Sequence, residues 1–242
     1  MRKPDRLILF DIDATLLATG GAGMRAMAAA GRRLIGPWFA ADGVDYAGRL
    51  DPLIITDLMM ANGVSPSDDV LSRFRDVYVE ELGRVLSIER GRSLPGVDSL
   101  LMRLRDESTV AMGLLTGNIE SGGLLKLAAC GIDAALFAVR IWGDAPWREG
   151  ASRATTVPTR DDLPPAAHIE YQRIYGSSIA ASSITIIGDT PHDVRCAKVN
   201  GCRSLAVATG RFSHEQLTAI GADRVVHDLS RDADLHEWLL YG

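Results

Sequence analysis

Three polar clusters, each at the end of an apolar run, carry the chemistry of this 242-residue chain. The run Leu7-Ile8-Leu9-Phe10 breaks into Asp11-Ile12-Asp13, and Leu114-Leu115 leads into Thr116-Gly117-Asn118. The third run ends at Ile187 and gives way to Gly188-Asp189-Thr190-Pro191-His192-Asp193. If the runs are parallel, neighbouring strands, then Asp11, Asp13, Asp189 and Asp193 share a small volume. Like charges so close raise one another's pKa and cost several kcal/mol unless a proton or a cation neutralises them. A hard divalent ion with oxygen ligands meets that need, and Mg²⁺ suits a site that must also hold a phosphate. Each cluster alone has a plainer reading: a solvated turn at Asp11, a helix cap at Asn118, an Asx-turn at Asp189. Only the three together, in order and each after a buried strand, point to a site.

The elements that must position these clusters follow from hydrophobic period and punctuation. Residues 6–12 read as a buried strand of the parallel type, short, apolar and ended by polar residues. From Gly20 to about Ser93 the pattern is helical and no strand signal interrupts it. One helix covers "AGMRAMAAAGRRLIG", a second opens on Asp51-Pro52 and closes on Asn62-Gly63, and a third is capped by Ser65 or Ser67. After the turn Leu94-Pro95-Gly96, strands alternate with helices. The strands are "TVAMGLLTGN", "LFAVRIWG", "SITIIGD", "SLAVATG" and "RVVHD", and the helix after Ser213 carries Gln216 in capping-box spacing. Alternation of this kind predicts an α/β fold: a Rossmann-like parallel sheet with helices on both faces and ligands at the carboxyl ends of the strands. Residues 143–160 form a polar loop longer than is usual for such a connection.

Bulk properties narrow the partners. A net charge of −5, from 26 basic and 31 acidic residues with no basic run, gives no nucleic-acid footprint. No apolar run approaches the roughly 18 residues of a membrane span, and the first residues meet acid too early for a signal peptide. Cys130, Cys196 and Cys202 are odd in number and lack metal-type spacing, as in a reduced, cytoplasmic protein. The oligomeric state is not encoded in any of these features.

The ordered set of motifs resembles the haloacid dehalogenase-like superfamily, and within it the phosphatase branch. Asp11-Ile12-Asp13-Ala14-Thr15 is similar to its first motif, Asp-x-Asp-Gly-Thr, except at Ala14. Leu114 to Asn118 and Gly188 to Asp193 are similar to the second and fourth motifs, and "TGGAG", "GRLDPLI" and "LPGV" resemble phosphoglycolate-phosphatase-like members. The resemblance implies a catalytic core of residues 1–18 and 94–242 and a helical cap of residues 19–93. It implies a Mg²⁺-dependent hydrolase of small phosphorylated metabolites working through an aspartyl-phosphate. Asp11 would be the nucleophile and Asp13 the acid and base. Asp11, the Asp13 carbonyl, Asp189 and Asp193 would hold the metal, and Thr116, Gly117 and Asn118 the phosphate. Asp13 also separates this branch from the dehalogenases, which lack a second aspartate. A phosphomutase or phosphotransferase would share every motif, and a weakly active or inactive binding protein would share the fold.

Two further positions follow from the resemblance. The third motif needs a cation before the fourth, and Arg160, in an Arg-acidic-acidic-Leu-Pro context, fills it, with Arg148, Arg153 and Lys126 as rivals. Arg49 is the expected substrate-facing cation of the cap. His192, Met59-Met60 and the Met24/Met27 pair read as structural, and Trp142 and Trp147 as local packing around the long loop. Ala14 replaces a glycine in a sharp turn, at a cost if the turn needs positive φ.

Overall fold

The computed structural model describes residues 3–145, 157–230 and 234–242. Its first strand, β1 (Arg6–Phe10), is wholly apolar after Arg6 because it is covered on both faces. Its side chains alternate: Leu7 and Leu9 enter one apolar core, Ile8 and Phe10 the other.

Five more strands complete a parallel sheet: β4 (Val110–Leu115), β5 (Val139–Ile141), β6 (Ile184–Gly188), β7 (Arg203–Val207) and β8 (Arg224–Val226). Their order is β5-β4-β1-β6-β7-β8. The first strand lies at the centre, pairing Phe10 with Leu114 of β4 and with Ile187 of β6. This register brings the ends of all three strands that precede a polar cluster to one edge. One face is covered by α4 (Val97–Arg105), α5 (Glu120–Ala129) and α9 (Leu235–Tyr241), through Leu100, Leu104, Leu127 and Leu239. On the other lie α6 (Leu163–Tyr175) and α7 (Pro191–Val199), through Ala167, Tyr171 and Ala197. The remaining helix of this half, α8 (His214–Ala219), is opened by the Ser213–Gln216 capping box. The α/β reading of the sequence stands, with strands shorter than their apolar runs: the first stops at Phe10 because Ile12 turns back to accept from Leu16 and Leu17.

Between β1 and β4 sit α1 (Ala22–Leu34), α2 (Asp51–Ala61) and α3 (Asp68–Ile88), with a core of their own around Met27, Leu58, Phe74 and Leu82. Ser67, not Ser65, caps α3, accepting from the amide of Val70. Two expectations are corrected. Residues 35–50 are not helical, since Pro37 and the glycines around it break the period left by α1. A strand does occur in this block: Arg92–Ser93 (β3) pairs antiparallel with Leu17–Ala18 (β2), so the chain enters and leaves the helices side by side. A two-residue strand has no period to detect. Met27 and Met59 are buried as expected, whereas Met24 and Met60 are exposed. Trp142 is buried against Gly123 of α5, as local packing requires. Trp147, Arg148 and Arg153 lie outside the described residues. No helix among the described residues is long and apolar enough to cross a membrane.

The turn after β1 settles the geometry of Ala14. Its φ is 56°, the one positive value on a non-glycine residue among the described residues. Its amide donates to Leu17 O at 2.8 Å and its carbonyl accepts from the Thr209 hydroxyl. An L-residue in this region gives up roughly 1 kcal/mol relative to glycine, which the closed turn offsets. Ala14→Gly is expected to raise Tm by about 2–4 °C, for a gain of about 1 kcal/mol in a chain of this size. Thermal denaturation checks it; an unchanged or lower Tm would show that restricting the unfolded chain outweighs the strain.

Candidate active site

At the carboxyl edge of β1 the backbone of Asp11 still pairs with the sheet, donating to Ile187 O at 2.9 Å. Its side chain is buried, as are those of Asp189 and Asp193, and one carboxylate oxygen from each lies within 4.8 Å of the others. Gly188 permits the approach of Asp193: a Cβ on Gly188 would sit 2.0 Å from the Asp193 carboxyl carbon. Asp193 closes a capping box at the start of α7, where Thr190 N–H and hydroxyl both donate to its Oδ2.

Crowding shows in the acidities. Burial, then Asp193 and Asp11, push Asp189 up to about 8. Burial likewise raises Asp11 to about 6, opposed by Arg160 and reinforced by Asp193. Arg160 opens a short 3-10 turn capped by Thr159, and its side chain is buried. Its Nη2 lies 2.9 Å from Asp11 Oδ1 and 2.6 Å from Asp193 Oδ1 and donates to Leu115 O at 3.2 Å. Asp193 Oδ1 makes that ion pair without hydrogen-bond geometry and is otherwise unsatisfied. Three buried carboxylates form an all-oxygen donor set that fits a hard divalent cation.

Asp13 meets a different cation. Lys126 of α5 places Nζ 2.6 Å from Asp13 Oδ2 and 2.6 Å from Asn118 Oδ1, while Asn118 Nδ2 donates to the same Asp13 oxygen at 2.8 Å. Thr116 Oγ1 accepts from Asn118 N and Nδ2. Burial lowers the Lys126 pKa, but Asp13 and Asp51 more than offset it, so the ammonium stays charged.

The helical block closes over this edge. Asp51, first residue of α2, donates its amide to Gly117 O at 2.8 Å and accepts from Ile119 N–H at 3.0 Å, capping α5 across the chain. Burial holds the Asp51 carboxyl up at about 6, against Lys126. Gly117 is required at this contact, because a Cβ there would lie 2.0 Å from Arg49 O. Between block and sheet is a pocket of about 870 Å³, whose lining includes Asp11, Asp13, Arg49, Lys126, Arg160 and Asp189.

Comparisons with known proteins bear on this arrangement. Residues 164–232 match the HAD-hydrolase-like family model. Comparison with curated protein sequences returns no significant match. Among solved structures, CbbY from Rhodobacter sphaeroides in complex with phosphate is 19% identical, covers 93% of this chain and 95% of its own, and superposes with a TM-score of 0.70. A predicted phosphoglycolate phosphatase from Haemophilus somnus is 18% identical over 98% and 99% of the two chains, at 0.67. A haloacid dehalogenase-like family hydrolase from Streptococcus pneumoniae is 19% identical over 93% and 94%, at 0.59. The chain has the haloacid dehalogenase-like fold.

Within this haloacid dehalogenase-like fold, the residues singled out from the motifs converge: Asp11, Asp13, Thr116, Gly117, Asn118, Arg160 and Asp189 all line the pocket, and Asp193 lies beneath them. Arg49 also lines it, with its guanidinium turned onto Asp57 at 2.6 Å. His192 sits against Gly48, half-buried and outside the carboxylate cluster. Asn118 is not a helix cap, since α5 is capped from Asp51. The roles of two participants are not legible in the sequence. There Lys126 is only one of several cations that could serve the third motif, and Asp51 only a helix start. Their roles depend on tertiary contacts that spacing does not encode.

The raised pKa of Asp189 has a sign. Its folded-state value lies above the unfolded 3.8, so its contribution to stability is full below that value and is lost as pH rises through about 8. Metal-free protein is therefore expected to lose more stability between about pH 5 and pH 8.5 than Asp189→Asn does. Unfolding curves in excess chelator make the comparison; parallel losses would mean that Asp189 ionises without penalty.

Proposed function

We propose that the protein is a Mg²⁺-dependent phosphatase that hydrolyses a small phosphate monoester through an aspartyl-phosphate on Asp11. The observation that carries this reading is the pairing at the end of β1: two carboxylates on one pocket, each against a buried cation, with Asp11 also part of a three-carboxylate donor set. The fold supports it, as do structural neighbours described as a predicted phosphatase and as a phosphate complex.

In this reading an Asp11 oxygen attacks phosphorus, the ester P–O bond breaks, and Asp13 gives its proton to the departing alkoxide. Water then attacks the acyl-phosphate, Asp13 takes its proton, and the bond from phosphorus to Asp11 breaks to release inorganic phosphate. Carboxylates are weak nucleophiles, so the rate comes from positioning and from neutralising charge on the transferring group. Arg160 fixes Asp11 and offers positive charge beside the reacting centre. Thr116 and the Gly117–Asn118 backbone would hold the phosphoryl oxygens, and the helical cap would exclude water. Asp11, the Asp13 carbonyl, Asp189 and Asp193 would hold Mg²⁺, which when bound neutralises the carboxylates and the phosphate together. Arg49, freed from Asp57, is the cap's cation for the substrate. Ala14 does not argue for an inactive protein, because Asp13 is still gripped at 2.6 Å and 2.8 Å on the pocket wall.

Release of inorganic phosphate from a panel of phosphorylated metabolites tests the activity and finds the substrate. Asp11→Asn is expected to lower turnover by about 10³-fold or more with an unchanged circular dichroism spectrum. Arg160→Ala is expected to cost about 10²–10³-fold. Chelation should stop turnover and Mg²⁺ restore it, with Ca²⁺ a poor substitute because of its looser coordination. Appreciable activity of purified Asp11→Asn, or full activity in excess chelator, would overturn the mechanism.

A further inference from the structure

The cation at Asp13 is distinct from the one at Asp11. Arg160 touches Asp11 and Asp193, while Lys126, arriving from the opposite face of the sheet, touches Asp13 and Asn118. It lies toward the end of α5, and helical side chains lean back toward the helix N-terminus, which carries its ammonium to the Thr116-Gly117-Asn118 loop. The Lys126 side chain is 6% exposed whereas that of Asp13 is 44% exposed, so the lysine supports the carboxylate from behind.

Both donors converge on one atom. Asp13 Oδ2 accepts from Lys126 Nζ and from Asn118 Nδ2, while Oδ1 has no hydrogen-bond partner among the described residues. The ring is closed, because Lys126 also donates to Asn118 Oδ1 and thereby fixes which way that amide points. An oxygen that already accepts two hydrogen bonds, one from an ammonium, is a poor place for a proton, since its O–H would face N–H groups.

We infer that Lys126 is a positioning residue for the acid–base step: with Asn118 it holds Asp13 by Oδ2, so that Oδ1 is the atom that gives and takes the proton at the leaving group. This rests on the phosphatase reading above. Lys126 orients the acid and Arg160 serves the nucleophile; the two cations divide the work that one motif cation would otherwise do.

The consequence is a dependence on leaving group. An alkyl phosphate needs a proton on its departing oxygen, whereas a nitrophenyl phosphate releases a stable phenolate without one. Single-turnover kinetics on both substrates isolate the transfer step from the hydrolysis that follows. Lys126→Met is expected to slow transfer from the alkyl phosphate by about 10²-fold while leaving nitrophenolate release within about 3-fold of wild type. Lys126→Arg is expected to recover about 10-fold of the alkyl loss, since it restores a donor and a charge. Should Lys126→Met fail to fold, Lys126→Gln carries the same comparison with smaller loss of polarity. Equal losses on both substrates would make Lys126 a phosphate-binding or structural group and overturn the inference, as would no loss on either. Two controls separate this from the parent reading. Activity in Asp11→Asn removes the aspartyl-phosphate mechanism itself. A leaving-group split in Asp13→Asn that is missing in Lys126→Met removes the positioning role alone.

Discussion

Mutual repulsion of carboxylates at the end of one buried strand governs this molecule. Asp11 sits where the central strand leaves the sheet, and the register with its two neighbours delivers Asp189 and Asp193 to the same edge. Such a cluster is unfavourable on its own: burial first, and then the neighbouring carboxylates, raise the pKa of Asp11 and Asp189. Much of the surrounding architecture can be read as a response: a buried arginine from a capped turn, a buried lysine from a helix, and glycines wherever a methyl group would push a charge out of place. Stability is given up locally to hold these charges in one place.

The sheet makes that tolerable. Two apolar layers flank β1, so its end is held by contacts that extend well beyond the charges. Charge is spread rather than left single: Arg160 spans Asp11 and Asp193, and Lys126 joins Asp13, with Asp51 close enough to raise its pKa. Removing one member leaves another unpaired in low dielectric, so substitutions here are strongly non-additive.

How far the sequence could be read depends on whether a feature is local. The strand ends were legible because three apolar runs stopping at acids or an amide, in the same chain and order, rarely arise from turns alone. The parallel sheet followed from alternation. Arg160 was legible through the resemblance, whose third motif puts a cation at the start of the helix that Leu163-Pro164 marks. Lys126 was legible only as a rival cation for that motif, because a lysine in a helix is usually solvated, and only the fold brings its ammonium to Asp13 and Asn118. Asp51 reads locally as a helix opener beside proline, yet its carboxylate caps a different helix nearly seventy positions later in the chain. The loop over residues 35–50 was hidden because the apolar residues around it, Phe39 among them, serve the helical core without being helical.

The paired entry and exit of the helical block have a consequence for how such a protein can change. Leu17 faces Ser93 and Ala18 faces Arg92, so to the sheet the whole intervening segment is topologically the tip of a hairpin. Its two ends stand one strand spacing apart, about 4.8 Å, whatever is folded between them. Loop-closure entropy grows only slowly with length, so exchanging that segment for a longer or shorter one perturbs the sheet little. The block that covers the pocket is thereby separable from the sheet that carries the carboxylates, and that block can be exchanged as a module while the clustered side chains keep their places.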